Sequence, residues 1–407
     1  MSLGWLCLAW FLVVSVAGAR TWTDNQGRKI EAEFSGINDG HVMLVMSGGQ
    51  EYKFPIEKLS PDDQKWVADN AQAADNAELA DSGENSGAQK GQRSVIMRGD
   101  GPKAESSWPQ KVEIDGTPEV EVVKEDGDSK QYVYRSKHYE FHSDIRLSKS
   151  VVREFSRIFE ATYLLNCELP LDFAPQFEPG QKIFEARIFE TREAYMKAGG
   201  MAGSGGVYMS RIKKFLVPIE SLGVVNRGSR VTIDYDYRDF TTLIHEITHQ
   251  MMNQWLGYLP IWYVEGSAVY TEIIDYKNGK FDLSNPKSLI KDHIGGREVK
   301  MLDPEALFKM DNATWLKALA NRAASVNYNS AGMLAFYFYH IDGEGDGANI
   351  IKCLRNIESG SKTWEDSEKE LLIRGRTMDQ FREDLKNGYK DKMNVDVEFI
   401  NGGAREG

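Results

Sequence analysis

The chain has 407 residues, 41% of them hydrophobic and 11% aromatic, which is enough for two or three domains with at least one sizeable core. Its 49 basic and 61 acidic residues give a formal net charge of −12. This balance argues against nucleic acid and against anionic membrane surfaces as partners of the whole protein.

The N-terminal segment 1–19 has the pattern of a signal peptide. It is an apolar run that ends in Ala17-Gly18-Ala19, a small-residue cleavage pattern, although it has no Lys or Arg near its start. We predict cleavage after Ala19 and export to the periplasm, the cell envelope or the medium, with an uncleaved membrane anchor as the alternative. No later run is apolar enough to span a bilayer, so no transmembrane segment is expected after cleavage.

Cleavage leaves two cysteines, Cys167 and Cys353. Two cysteines make no disulfide framework, and the sequence does not give the distance between them. One bridge in an oxidising compartment and two buried free thiols are both open.

Residues 20–69 have the pattern of a small all-β domain. Strand-like stretches at 30–34, 41–46 and 51–56 are separated by turn residues, and a helical turn with Ser60 as its N-cap follows. The pattern RTWTDNQGRKIEAEF…DGHVMLVMSGGQEYKFPIEKLSPDDQKWV resembles the Sla-one homology domain, an SH3-like barrel. The resemblance implies a module with a protein ligand, and a barrel that serves as a spacer or adhesive surface is the alternative.

Segment 70–107 differs in composition from both of its flanks. Ala, Asp, Asn, Gly, Gln and Ser dominate, and large apolar residues are almost absent. Such a segment cannot bury enough apolar surface to fold, so it is predicted to be a flexible linker between two folded parts.

Residues 108–395 have the pattern of an α+β domain, followed by a tail at 396–407. In its first half, strand-like and helical stretches alternate: strands at 131–142, 182–189 and 213–219, and helices at 148–167 and from about Thr191. Its second half is mainly helical, with segments at 304–309, 311–322, 328–340, 350–357 and 378–389.

The segment 241–250 contains the pattern HExxH, formed by His245, Glu246 and His249. Histidines four residues apart lie on one face of a helix, where both imidazoles can reach one metal ion. Glu246 lies beside them and can take a proton from a metal-activated water. The other face of this helix is apolar, as expected for a buried helix, through Leu243, Ile244, Ile247 and Met251.

Zinc in catalytic sites usually has three protein ligands, and a candidate for the third is Glu265, which follows His249 by 16 residues. Pro260 ends the intervening segment, so a second, antiparallel helix can return a carboxylate to the histidines. Gly266 and Ala268 are small enough to allow a close approach of helices. A solvated carboxylate near a helix start is the alternative for Glu265.

The motif His245-Glu246-xx-His249, with Trp262-Tyr-Val-Glu-Gly-Ser-Ala-Val-Tyr270 after it, resembles the gluzincins, and specifically the peptidase-MA-like zinc metalloproteases. The resemblance covers roughly residues 130–390. It implies a zincin-type fold in which His245, His249 and Glu265 bind Zn²⁺ and Glu246 is the general base and later the proton shuttle.

The resemblance also implies a donor that stabilises the oxyanion of the tetrahedral intermediate. Tyr328, in Tyr328-Asn-Ser-Ala331, fits the loose pattern of relatives, and a tyrosine packed in the core at a helix start is the alternative. Tyr270 competes for the role, but core packing is favoured for it. Glu272 is a candidate partner of a ligand histidine, with a solvated helix carboxylate as the favoured interpretation.

The leading hypothesis is an exported zinc metallopeptidase that is joined by a linker to an SH3-like module and acts on a protein or peptide. A strand at 215–218 is the candidate edge against which an extended substrate lies. The alternatives are an envelope-associated structural or binding protein with a vestigial zinc site, and zinc hydrolysis of a non-peptide bond. The remaining histidines lack partners at ligand spacing and are interpreted as surface or core residues: His41, His138, His142, His293 and His340.

Overall fold

The structure is a computed structural model that describes residues 20–38, 41–45, 51–55, 58–60, 63, 107–175, 183–200, 204–210, 213–226, 228, 231–234, 240–315 and 324–401. The chain forms two compact units, Met1–Ala77 and Glu78–Gly407. The boundary between them falls within the segment predicted to be a linker. The predicted signal peptide, and the predicted linker except for its last residue, lie outside the described residues.

The first unit contains a four-stranded antiparallel sheet in which consecutive strands are neighbours. Its strands are β1 (Arg20–Thr23), β2 (Lys29–Asn38), β3 (His41–Val45) and β4 (Glu51–Pro55). The sequence analysis missed β1, which is only four residues long. Its Trp22 is nevertheless the largest side chain of this core, and the Trp22 Nε1–H donates to the Ala32 carbonyl at 3.0 Å.

The second unit is built on a six-stranded mixed sheet with the order β10-β11-β9-β8-β7-β6. Three of the four inner strands, β8, β9 and β11, run parallel, and the remaining pairs are antiparallel. In chain order, the first seven strands of this unit are β5 (Lys111–Glu113), β6 (Glu121–Asp126), β7 (Gln131–Arg135), β8 (Tyr139–Ser143), β9 (Phe184–Phe189), β10 (Val207–Met209) and β11 (Lys214–Pro218). All of them except β5 belong to the six-stranded sheet.

Two sequence predictions about this sheet are wrong. The single strand expected at 131–142 is a hairpin, because the chain turns between β7 and β8, where the Ser136 N–H donates to the Tyr139 carbonyl at 2.9 Å. The edge strand expected at 215–218 lies inside the sheet, between β9 and β10. The shorter strand β10 therefore forms this edge of the sheet.

Helix α1 (Lys149–Glu168) lies against the sheet and begins at the N-cap Ser148, whose side chain accepts the Val151 N–H. The apolar spacing of its sequence places Phe155 and Phe159 on one face, and both rings pack edge-on against Phe141 of β8 at 5.1 Å. This contact is the centre of the unit's main core. The predicted helix at 148–167 is confirmed to within one residue at each end.

Helices form most of the rest of the unit, as the sequence predicted for its second half. They are α2 (Arg192–Lys197), α3 (Phe240–Met251), α4 (Ile261–Glu272), α5 (Pro286–Ile294), α6 (Pro304–Phe308), α7 (Ala324–His340), α8 (Ala348–Glu358), α9 (Trp364–Ser367) and α10 (Met378–Met393). Short strands lie between them: β12 (Val224–Asn226), β13 (Val231–Ile233), β14 (Asp275–Lys277), β15 (Lys280–Asp282) and β16 (Glu298–Leu302). Within the described residues, no helix has the length and apolarity needed to cross a membrane.

The last strand, β17 (Asp396–Ile400), pairs in parallel with β16. These residues belong to the predicted tail at 396–407, and that prediction is wrong, because five residues with alternating polarity give a weak local signal. Val397 is buried, so the strand belongs to the core of the unit.

Glycines bring α4 and α7 into close contact. A Cβ atom built on Gly266 of α4 would lie 2.4 Å from the Ala331 carbonyl oxygen of α7, and one built on Gly332 would lie 2.5 Å from a methyl group of Val269. The two backbones therefore approach each other at distances that side chains would prevent. This packing places the start of α7 beside the helices α3 and α4 that carry the candidate site.

Both cysteines of the unit, Cys167 on α1 and Cys353 on α8, are buried and are not joined by a disulfide. Of the two alternatives that the sequence left open, the structure has the unbridged one.

Candidate metal centre

Helix α3 carries the two histidines of the HExxH motif. Its apolar residues Leu243, Ile244 and Ile247 are buried, which fixes the helix in the core and leaves His245 and His249 on the remaining side. Their rings lie edge-to-face with centroids 4.7 Å apart. The four-residue spacing thus brings the imidazoles together, as the sequence predicted.

Helix α4 carries the candidate third ligand. It starts after Pro260, which has φ −70° and no N–H to lose at a helix N-terminus, and it runs antiparallel to α3. One oxygen of Glu265, Oε2, lies 3.2 Å from His245 Nε2 and 3.3 Å from His249 Nε2. Among the described residues, these three form the one group of His, Cys, Asp or Glu residues that can hold a metal ion, with ligand atoms within 4.8 Å of one another.

These distances fit a zinc ion. Ligand atoms arranged tetrahedrally at about 2.0–2.2 Å from zinc lie about 3.3 Å from one another. The measured separations of 3.2 and 3.3 Å agree with that value. Two imidazoles and one carboxylate also match the ligand types of catalytic zinc sites, which keep a fourth position for water or substrate.

Glu272, at the last position of α4, holds the outer nitrogen of His245. Its Oε2 accepts a hydrogen bond from His245 Nδ1 at 2.6 Å, which leaves Nε2 facing Glu265. Metal-binding histidines commonly donate their second N–H to a carboxylate in this way. The interpretation of Glu272 as a solvated carboxylate is wrong; it lies seven residues after Glu265, two turns along the same stripe of the helix, and that spacing was the available signal.

The charges of the cluster shift the ionisation of its members. Burial acts to lower the pKa of His245, but hydrogen bonds to Glu265 and Glu272 outweigh it and raise that pKa well above its ordinary value. Burial acts in the opposite sense on Glu265, and the charges and hydrogen bonds of His249 and His245 outweigh it and lower that pKa to about 2. Glu265 is therefore a carboxylate, the form that binds a cation.

Glu246 is held by the edge strand of the sheet. The Tyr208 N–H in β10 donates to Glu246 Oε2 at 2.9 Å. Burial raises the pKa of Glu246 above its ordinary value, so its basicity exceeds that of an exposed carboxylate. Sequence reasoning missed Tyr208, because the contact depends on the order of strands in the sheet, which no local pattern encodes.

Tyr328 lies beside the ligands. Its ring meets His245 edge-on at 5.8 Å and Trp315 at 5.2 Å. It is in the second turn of α7, which starts four residues earlier than predicted, so it is not at the helix start. Burial and the nearby Glu265 and Glu246 raise its pKa, which keeps the phenol protonated and able to donate.

Tyr270 points elsewhere. Its hydroxyl bonds His340 Nε2 at 2.9 Å in a buried contact that includes the ring of Trp108. Core packing, the favoured interpretation of Tyr270, is thus confirmed. Burial lowers the pKa of His340 to about 3, so this histidine is a neutral core residue.

The other described histidines with side-chain contacts also have ordinary partners. His138 Nδ1 lies 2.5 Å from the buried Glu160, His142 Nε2 lies 2.8 Å from Glu140, and His293 bonds Asn329.

Comparison with protein families identifies the N-terminal module. Residues 15–74 match the model of SLA1 homology domain 1, SHD1. The predicted SH3-like module is thereby confirmed, with limits that extend five residues beyond the predicted range at each end. SHD1 is a binding module, which is consistent with a protein ligand for this part of the chain. No curated protein matches the chain.

Proposed function

We propose that the protein is an exported zinc-dependent metallopeptidase whose N-terminal module binds a protein ligand. One observation carries the proposal: Glu265 Oε2 lies 3.2 and 3.3 Å from the Nε2 atoms of His245 and His249. Glu246 follows His245 directly in the sequence and lies on the same helix as the two histidines. A purely structural metal site has no use for a buried base beside its ligands.

His245, His249 and Glu265 would hold the zinc ion. When bound, zinc supplies Lewis-acid polarisation of the scissile carbonyl and lowers the pKa of a water molecule in the site. Glu246 takes a proton from the attacking water and delivers it to the leaving amine. Its raised pKa suits both steps, since the group must first accept the proton and then give it up. Tyr328 donates to the oxyanion that develops on the carbonyl.

The edge strand β10 favours a peptide over other substrates. In an antiparallel pair, a residue either exchanges both backbone hydrogen bonds with its partner strand or exchanges neither. The Tyr208 N–H goes to Glu246, so the Tyr208 carbonyl also faces away from β11 and towards the base. An extended peptide adds to such an edge through main-chain hydrogen bonds, which brings its scissile bond beside Glu246.

Metal analysis followed by a cleavage assay tests the proposal. The full chain without its signal segment is purified without chelators, and zinc is measured per mole of protein. Casein and a peptide library are then incubated with wild type and with Glu246→Gln. We expect about one zinc in both proteins, cleavage by wild type, and a loss of at least about 100-fold in rate for the variant.

Two outcomes contradict the proposal. Purified protein that still contains no zinc after zinc has been added to it favours a vestigial site. Equal cleavage by wild type and Glu246→Gln removes the assigned role of the base. The control variant is Glu220→Gln, which removes an exposed carboxylate from the short 3₁₀ turn Ile219–Leu222.

A further inference from the structure

A pair of buried hydroxyl groups joins the two helices that carry the ligands. Thr248 Oγ1 of α3 lies 2.8 Å from Thr271 Oγ1 of α4. Both residues are excluded from solvent, with exposed fractions of 0% and 1%.

The contact between the two hydroxyls competes with hydrogen bonds inside each helix, because there are fewer hydroxyl hydrogens than contacts. Thr248 Oγ1 also lies 2.9 Å from the Ile244 carbonyl, and Thr271 Oγ1 lies 2.8 Å from the Ala268 carbonyl. Two hydroxyl groups have two hydrogens for these three contacts. One threonine therefore donates across the interface, and only the other donates to its own helix.

A third helix contributes to the same contact. Asn166 of α1 donates through Nδ2 to the Thr162 carbonyl at 2.9 Å and to Thr248 Oγ1 at 3.3 Å. The Asn166 side chain is fully buried, so its Nδ2 donates to groups inside the protein. The packed layer α1–α3–α4 is thus tied together at Thr248.

The hydroxyl pair is adjacent in sequence to the site on both helices. Thr248 directly precedes His249, and Thr271 directly precedes Glu272. The usual range of O–H···O distances spans only about 0.5 Å, so the pair restricts how far α4 can slide or turn relative to α3. Any such movement also changes the distances from Glu265 and Glu272 to the histidines, because each helix moves as a rigid element.

We propose that Thr248 and Thr271 are positioning residues that set the register of α3 against α4 and thereby the affinity of the three-ligand site for zinc. Their described hydroxyl contacts are with each other, with Asn166 and with two backbone carbonyls, so they act through His245, His249 and Glu265. This inference rests on the proposed function, because it presupposes that the site binds zinc.

The test compares variants that remove the hydroxyl with variants that keep it. Thr248→Val and Thr271→Val keep the shape of the side chain and remove the hydroxyl, whereas Thr248→Ser keeps the hydroxyl and removes the methyl. The zinc dissociation constant is measured on the full chain by competition with a chromophoric chelator. We expect the zinc dissociation constant to rise about tenfold for each valine variant, which is the lower end of the range of about 10–100-fold for residues that support metal ligands. The serine variant should bind zinc with near wild-type affinity.

The matched control is Ser267→Ala on the same helix. Ser267 is fully buried, and its hydroxyl crosses to another helix, where it bonds the Tyr339 hydroxyl at 2.9 Å on the side of α7. The variant Ser267→Ala should lower the free energy of unfolding, measured in urea with a chelator present, and should leave the zinc dissociation constant unchanged. The double variant Thr248→Val/Thr271→Val should bind zinc no more weakly than the single variants, since both remove the same contact.

Each result decides the inference. If the metal-free valine variants are less stable than wild type but bind zinc with wild-type affinity, the inference is wrong and the proposed function stands. An effect of Ser267→Ala equal to that of the valine variants would overturn it as well, because general loosening of the core would then explain both. A wild-type protein that binds no zinc overturns this inference and the proposed function together.

Discussion

Glu272 fixes the orientation of His245 through a 2.6 Å contact with Nδ1, whereas the buried Nδ1 of His249, the other histidine of the motif, has no hydrogen-bond partner among the described residues. The two imidazoles of the candidate site are therefore supported differently. His245 is locked in rotation and tautomer by a carboxylate, and no described residue supports His249 in the same way at its Nδ1.

This difference predicts unequal effects on metal binding. Glu272→Gln should raise the zinc dissociation constant by about 10–100-fold, because the amide supports the imidazole less strongly than the carboxylate does. The measurement is chelator competition on the full chain. Asp275→Asn, which alters an exposed carboxyl three residues further on, is the control and should bind zinc as wild type does. Identical affinity for Glu272→Gln and the control would show that Glu272 does not support the ligand.

The second prediction concerns the turnover step. Tyr328→Phe should lower kcat on a cleaved peptide by about 10²–10³-fold with a small change in KM, because an oxyanion donor acts mainly in the transition state. The ring stays, so the contacts with His245 and Trp315 are kept.

The control for this variant is Tyr270→Phe. It also deletes one buried phenol hydroxyl, but that hydroxyl bonds His340 in the core. It should cost about 1 kcal/mol of stability and leave kcat unchanged. An unchanged kcat for Tyr328→Phe would exclude Tyr328 as the oxyanion donor.

Whether a contact of the site could be predicted from the sequence depends on how far apart its two residues lie in the chain. His245, Glu246 and His249 come together through the period of a single helix, so their spacing predicted their proximity. The spacing of Glu265 only allowed it to reach the histidines, and the resemblance to the gluzincins implied its role. Tyr208 reaches Glu246 only because β10 is the edge of a mixed sheet, and strand order is a property of the whole domain.

The same distinction holds for the fold. The long helix α1 was predicted almost to the residue, since its cap at Ser148 and its apolar stripe are local signals. The hairpin at 131–142 was read as one strand, because its turn lacks Gly and Pro and the residues on both sides alternate alike. Strand β17 was missed, because its pairing partner β16 is about one hundred residues away in the sequence.

The third prediction tests the close contact of α4 with α7. Alanine favours a helix interior over glycine by about 1 kcal/mol, yet the added Cβ of Gly266→Ala would lie 2.4 Å from a backbone oxygen that cannot move alone. The steric term should win, with a net loss of about 1–3 kcal/mol in the free energy of unfolding. Urea denaturation of the full chain, followed by tryptophan fluorescence, measures it.

Gly127→Ala is the control for that steric term. A Cβ atom at Gly127 meets only the Tyr132 hydroxyl, at 3.8 Å, so the substitution should change stability by less than about 0.5 kcal/mol. A Gly266→Ala variant as stable as the control would mean that the helices can separate without cost.

The last prediction is a pH dependence of stability that originates in Glu368, which is not part of the candidate site. Burial raises the pKa of Glu368 from 4.5 to about 7, although the Trp364 Nε1–H donates to its Oε2 at 2.7 Å. The folded protein therefore binds this proton more tightly than the unfolded chain does. The resulting stability is fully present below about pH 4.5 and is lost as the pH rises towards 7, where the buried group must ionise.

Unfolding free energies at pH 5 and pH 8 measure this loss. Allowing for the partial exposure of Glu368, we expect it to account for a decrease on the order of 1 kcal/mol in wild type. Glu368→Gln should lack this component, because an amide does not titrate and still accepts the Trp364 hydrogen bond. Asp366→Asn, which alters an exposed carboxyl on α9, should keep the wild-type dependence. If Glu368→Gln and wild type lose equal stability between the two pH values, the burial of Glu368 does not control its ionisation.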